Sequence, residues 1–147
     1  NLVHTVYFGN KTYLSNVIVH HGDNLTGFGS GDDEVITVNL CHVPQDIQVM
    51  AICITSFRGV SFSDIRGAFL RIVDKSSNKE LLYLKMNKGE NKTGFLFAML
   101  YRMDEECWDL CPMMRYVNAT SPSVIGVEAT TFIRESGFIE EMLSLLD

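Results

Sequence analysis

Short β-rich runs follow one another at turn-sized intervals along this chain, with almost no helical pattern between them. Residues 34–40 read E-V-I-T-V-N-L and alternate between two faces, as a strand with one buried face does. Further runs at 3–8, 17–21, 68–73, 81–86, 95–101 and 107–116 are separated by Gly, Asn, Asp and Ser. The run at 47–55 is apolar almost throughout, which predicts a central strand buried on both faces. Residues 74–78 predict a turn between 68–73 and 81–86, and Met103 to Glu106 join 95–101 to 107–116 as a hairpin. The expected fold is mainly β, an antiparallel β-sandwich. Residues 61–66 suit one helical turn, and 127–135 a short C-terminal helix closed by Gly137. Beyond it, Phe138, Ile139, Met142, Leu143, Leu145 and Leu146 share one side at helical spacing, so 138–147 reads as an apolar helical tail that packs on the sandwich or meets a partner.

Composition narrows the function. With 147 residues and 46% hydrophobic side chains the chain suits one globular domain, 1–147. A net charge of −6 and scattered Lys and Arg argue against a nucleic-acid surface. No apolar run approaches the roughly 20 residues of a membrane span. The chain opens on Asn1 with a β-rich run already under way, so an earlier segment is expected. The cysteines, 4 in number, show no disulfide framework, and the sequons at Asn10, Asn24, Asn91 and Asn118 are short motifs that arise by chance. A reduced, cytoplasmic protein is expected. A zinc site from Cys41, His42, Cys107 and Cys111 is the lesser reading, because structural zinc favours two tight ligand pairs.

One segment carries chemistry. Residues 22–34 read G-D-N-L-T-G-F-G-S-G-D-D-E, in which every polar side chain offers oxygen and none a positive charge. Hard cations such as Ca²⁺ take about six to eight oxygens, and the glycines let the backbone fold tightly around them. Strand alternation would send Asp32 and Glu34 to one face and Asp33 to the other. Asp23 and Glu34 stand at the ends of an EF-hand spacing, yet Leu25 and Phe28 occupy positions where that loop needs an oxygen ligand and a glycine. A phosphate loop would need a lysine where Asp32 and Asp33 stand. Two readings remain from the chemistry: a hard-cation site, or a solvated acidic turn.

The segment resembles the signature of the TerD family of tellurium-resistance and stress-response domains, G-D-N-x-T-G-x-G-x-G-D-D-E, complete from Gly22 to Glu34. V-N-L-C-H-V-P at 38–44 resembles the family's V-D-L-x-x-V-P. F-S-D-I-R-G-A-F-L-R-I-V at 62–73 resembles its N-F-G-x-V-R-N-A-F-I-R-I-V, and Leu100, Tyr101, Arg102 and Trp108 resemble its E-L-Y-R…E-W-K hairpin. The likeness spans about residues 5–137. It implies a β-sandwich that binds calcium in loops at one end, without catalysis, in a stress-related protein complex. Carried over by position, it implies Asp23, Asn24, Asp32, Asp33 and Glu34 as side-chain ligands and Gly27 as a carbonyl ligand. The family's earlier D-x-D-L-D-A-S-like segment, with its strands and acidic ligands, has no counterpart here, Asn39 and Gly67 replace its Asp and Asn, and the tail runs past its usual end. The competing reading is an interaction sandwich whose acidic loop is structural and binds no ion.

No enzyme is expected. His4, His20, His21 and His42 stand in no nucleophile–base signature, and Cys41 beside His42 would face opposite ways on a strand. His20 and His21, next to the acidic segment, are the pair closest to transition-metal chemistry. Arg66 and Arg71 are expected to pair with acids inside the sandwich rather than to bind an anion.

Overall fold

A computed structural model describes residues 2–22, 32–56, 58–65, 67–86 and 89–137. In chain order the strands are β1 (Thr12–Tyr13), β2 (Ile18–His20), β3 (Ile36–Val38), β4 (Val49–Thr55), β5 (Ala68–Asp74), β6 (Lys79–Met86), β7 (Gly94–Arg102) and β8 (Trp108–Val117), followed by helix α1 (Pro122–Glu135). Short 3₁₀ turns occupy Leu40–His42 and Phe62–Asp64. The strands form three antiparallel sheets, ordered β1-β2-β3, β4-β7-β8 and β5-β6.

Strand β7 is buried from Gly94 to Met99 and lies between β4 and β8. Phe95 and Phe97 pack with Ile52, Ile54 and Tyr116 under the inner side chains of β5 and β6, namely Ala68, Leu70, Ile72, Leu82 and Leu84. Leu96 and Met99 pack on the opposite side with Met113, Val117 and, from α1, Ile125 and Ala129. The central sheet is therefore layered between the β5–β6 hairpin and the helix. A bulge interrupts the regular alternation: Leu96 pairs with Arg115 but Ala98 with Pro112, so β8 has one residue more than β7 over this stretch, and Met114 takes φ +50°. Against β4 the extra residue is in β7 itself: Ile52 pairs with Ala98 and Cys53 with Leu96, leaving Phe97 between them, and Phe97 and Ala98 join the same apolar cluster although adjacent in sequence.

A buried cation ties the loop before β4 to the β7–β8 hairpin. Arg102 is only 7% exposed, and its guanidinium donates to the carbonyls of Val43 (3.2 Å), Pro44 (3.0 Å), Ile47 (3.1 Å) and Glu105 (3.4 Å). Its Cζ sits 4.3 Å from the Trp108 ring centroid, so the planar face of the cation is covered as well.

The mainly β, antiparallel architecture with a C-terminal helix agrees with the sequence reading, and several boundaries differ. Residues 3–8 form no strand. Tyr7 and Asn10 exchange a single pair of backbone hydrogen bonds across a tight turn, and the first ladder begins at Thr12. An extended run becomes a strand only where a neighbour accepts its backbone groups. The run 34–40 shortens to Ile36–Val38, since Leu40 to His42 coil into the 3₁₀ turn. Among the described residues the run 47–55 is an edge strand, not a central one. Its apolar character reflects layers on both sides: Val49 and Cys53 pack toward the helix-side cluster, Ile52 and Ile54 toward the hairpin-side cluster. The helix starts at Pro122, ahead of the expected 127. Ser121 caps it, its Oγ accepting from Val124 N at 3.3 Å, with Pro122 in the first turn. Gly137 follows its end at φ +73°, a conformation that favours glycine. The tail 138–147 lies outside the described residues.

Leu96→Ala should destabilise the domain by about 2–5 kcal/mol, read from the midpoint of urea unfolding, because Leu96 is fully enclosed in the helix-side cluster. The turns add a pH dependence. Asp74 accepts from Ser76 Oγ (2.8 Å), Ser77 Oγ (2.9 Å) and Ser76 N (3.1 Å), and Asp104 accepts from the backbone N–H groups of Glu106 and Cys107, both at 2.9 Å. These bonds, led by the Ser76 hydroxyl at Asp74 and the Glu106 amide at Asp104, hold both carboxyls below their ordinary 3.8. Their stabilisation is present above that value and is lost as pH falls toward the lower folded values, where the unfolded chain takes up protons first. Asp74→Asn combined with Asp104→Asn should flatten the drop in melting temperature below about pH 4.

Candidate functional site

Segment 22–34 closes the β2–β3 hairpin. Ile18 pairs with Val38, Val19 with Thr37 and His20 with Ile36, and His21 N continues the ladder to Val35 O at 2.9 Å. Both ends of the segment are thereby fixed side by side. Gly22 adopts φ +99° where the chain leaves β2, and its N–H donates to His20 Nδ1 at 3.0 Å. His20 is buried, and His21 Nε2 lies 3.1 Å from Thr37 Oγ1, so both imidazoles take part in building the hairpin.

At the other end, Asp32 meets Arg71 of β5 in a two-pronged ion pair. Nε donates to Oδ1 at 3.0 Å and Nη2 to Oδ2 at 2.8 Å, while Nη1 reaches Glu80 Oε2 of β6 at 3.4 Å. The side chains of Asp32 and Arg71 are 31% and 38% exposed, so water screens the pair, and its fork geometry is its main strength. The Arg71 hydrogen bonds hold the Asp32 carboxyl below its usual range, and Asp32 in turn raises the guanidinium's pKa. Arg71 does pair with acids, as expected, but on the exposed side of the β5–β6 hairpin rather than inside the sandwich. Arg66 lies outside the described residues.

The described candidates Asp32, Asp33 and Glu34 are all exposed and precede β3, which begins only at Ile36. The expected alternation of Asp32 and Glu34 against Asp33 therefore does not apply, because it presumes a strand already under way. Asp23, Asn24 and Gly27 lie outside the described residues. The donors suit a hard cation in chemistry, all being oxygen. In geometry, no group of three or more His, Cys, Asp or Glu side chains comes together among the described residues. Cys41 and His42 share a 3₁₀ turn, so strand alternation says nothing of their directions either.

The family model described as TerD domain matches residues 2–117. The chain belongs to the TerD family. The matched span takes in all eight described strands, and α1 lies beyond it although Ile125 and Ala129 complete the core. Among curated relatives, the chain is 41% identical over 107 residues to "Tellurium resistance protein TerZ" of Serratia marcescens, covering 73% of this chain and 54% of that protein. It is 35% identical over 122 residues to "Stress response protein SCP2" of Bacillus subtilis (strain 168), covering 78% of this chain and 60% of that protein. It is also 33% identical over 108 residues to "Chemical-damaging agent resistance protein B" of Clostridium acetobutylicum, covering 69% and 76%. This TerD-family chain thus spans little more than half the length of the first two relatives. Among its described residues no helix is long and apolar enough to cross a membrane.

The cysteines differ sharply in setting. Cys41 and Cys107 are exposed, and the negative charge of Asp104 pushes the Cys107 thiol up. Cys53 packs against the helix-side cluster, and burial pushes its thiol up to about 12. In the folded protein at about pH 8, iodoacetamide should modify Cys53 at least about tenfold more slowly than Cys41, as followed by peptide mass spectrometry, with the difference vanishing in denaturant.

Proposed function

We propose that this chain is a non-catalytic calcium-binding module of a stress-response protein of the tellurium-resistance kind, working in the cytoplasm through protein complexes. The observation that carries the reading is segment 22–34 itself, an all-oxygen, glycine-rich loop whose ends are pinned by the β2–β3 ladder and which delivers Asp32, Asp33 and Glu34 in succession. Pinned ends reduce the entropy lost when such a loop closes around an ion. In this reading Asp23, Asn24, Asp32, Asp33 and Glu34 offer side-chain oxygens and Gly27 a carbonyl. When bound, the ion supplies positive charge that draws these groups together. The names of the relatives, tellurium resistance and stress response, support the biological setting. The absence of a nucleophile–base signature in the sequence underlies the non-catalytic part.

A second reading has one observation in its favour. The Arg71 fork already satisfies both oxygens of Asp32, so the segment has an internal counter-charge and works as a structural connection in an interaction sandwich.

Melting the protein in EDTA and then across a calcium series, with magnesium as control, separates the two. Calcium binding to the folded state alone should give a saturable rise, worth about 2.7 kcal/mol at a hundred times Kd. Asp32→Ala with Asp33→Ala should abolish that rise. An unchanged rise in the double variant removes the site assignment, and no rise in the parent protein favours the second reading.

A further inference from the structure

The fork on Asp32 bears on the calcium reading above, and the inference here rests on that reading. Arg71 and Asp32 are 39 residues apart in sequence and come from different sheets, β5 belonging to the β5–β6 pair and Asp32 leading into β3. Both carboxylate oxygens are engaged, at 3.0 and 2.8 Å. A calcium ion held by both oxygens of Asp32 would need the same lone pairs that point at the guanidinium. Held by one oxygen, at about 2.3–2.6 Å, it would stand only about 5 Å from the guanidinium charge, where the two cations repel. Either way, the ion and Arg71 oppose each other at this carboxylate. Glu80 gives the guanidinium somewhere to remain: its Oε2 is 3.4 Å from Nη1, on the neighbouring strand β6, so leaving Asp32 does not leave Arg71 without an acid. The arrangement has the parts of an exchange, with one cation built into the chain and one from solution, and a second acid for the one displaced.

We propose that Arg71 is an internal counter-cation that competes with calcium for Asp32. It holds Asp32, just ahead of β3, to the β5–β6 hairpin when calcium is absent and weakens the affinity of that carboxylate for the ion. Arg71 acts as a positioning residue: it touches the ion's carboxylate, not the ion. Calcium uptake accordingly releases Asp32 from the guanidinium and leaves Arg71 on Glu80.

Calcium chloride titrated calorimetrically into the parent protein and into Arg71→Gln and Arg71→Lys variants tests this, with each variant first shown to melt cooperatively. Competition predicts that Arg71→Gln binds calcium about tenfold more tightly. Arg71→Lys should fall between, because lysine keeps the charge and loses the two-pronged geometry. A residue that merely braces the segment would give the reverse, weaker binding in Arg71→Gln with partial rescue by lysine. Equal or weaker binding by Arg71→Gln overturns the competition and leaves the calcium reading standing. Binding by Arg71→Gln alone, with none by the parent, supports the competition in its strongest form. Binding by none of the three removes the calcium reading and this inference with it.

Discussion

Strand β7 is hydrogen-bonded along both edges and apolar on both faces, and most of the fold follows from satisfying those conditions together. Its backbone groups are taken up by β4 and β8. Its side chains need one cover for Phe95 and Phe97 and another for Leu96 and Met99. The β5–β6 hairpin supplies the first and α1 the second. Because the family match ends at residue 117, at the close of β8, the second cover comes from chain beyond the matched span. The bulge at Met113 and Met114 belongs to the same requirement. It lies opposite Phe97, the extra residue of β7 against β4, which resets the alternation so that Phe97 and Ala98 enter one cluster, and the left-handed φ of Met114 is the local strain on the β8 side.

Two arginines show how differently a guanidinium is used. Arg102 is buried, and its hydrogen-bond partners among the described residues are backbone carbonyls, with Trp108 over its face. Those carbonyls belong to loop residues with no ladder N–H to donate to them, so the cation does the work of a missing strand. It fastens the chain between the Leu40–His42 turn and β4 to the β7–β8 hairpin. Arg71 sits at the surface and meets carboxylates in a screened environment. Its pair contributes little to stability, but it fixes where the end of segment 22–34 lies.

The candidate site was legible in part. Gly22 to Glu34 announced itself through composition, since oxygen-bearing side chains and glycines without a single cation are a local property of the string. That the segment closes the β2–β3 hairpin came from the pairing of the two strands. The engagement of Asp32 was not legible. Nothing near Asp32 in sequence points to Arg71, and the pairing depends on how the β5–β6 hairpin lies against the small sheet. The alternation expected for Asp32, Asp33 and Glu34 failed for a related reason: apolar periodicity marks residues able to form a strand, while the strand begins only where β2 offers a partner, at Ile36.

By itself the sequence determined the class of fold, the strand runs from 68 onward, the hairpin turns and the closing Gly137, all of which rest on interactions between near neighbours: turn chemistry, alternation and capping. It also determined the chemistry available in segment 22–34. Tertiary structure decided the rest. It placed β7 rather than β4 at the centre of the sheet, left residues 3–8 without a ladder and set Arg71 on Asp32. Each of these depends on which distant surfaces meet, and burial and backbone pairing are settled only when they do.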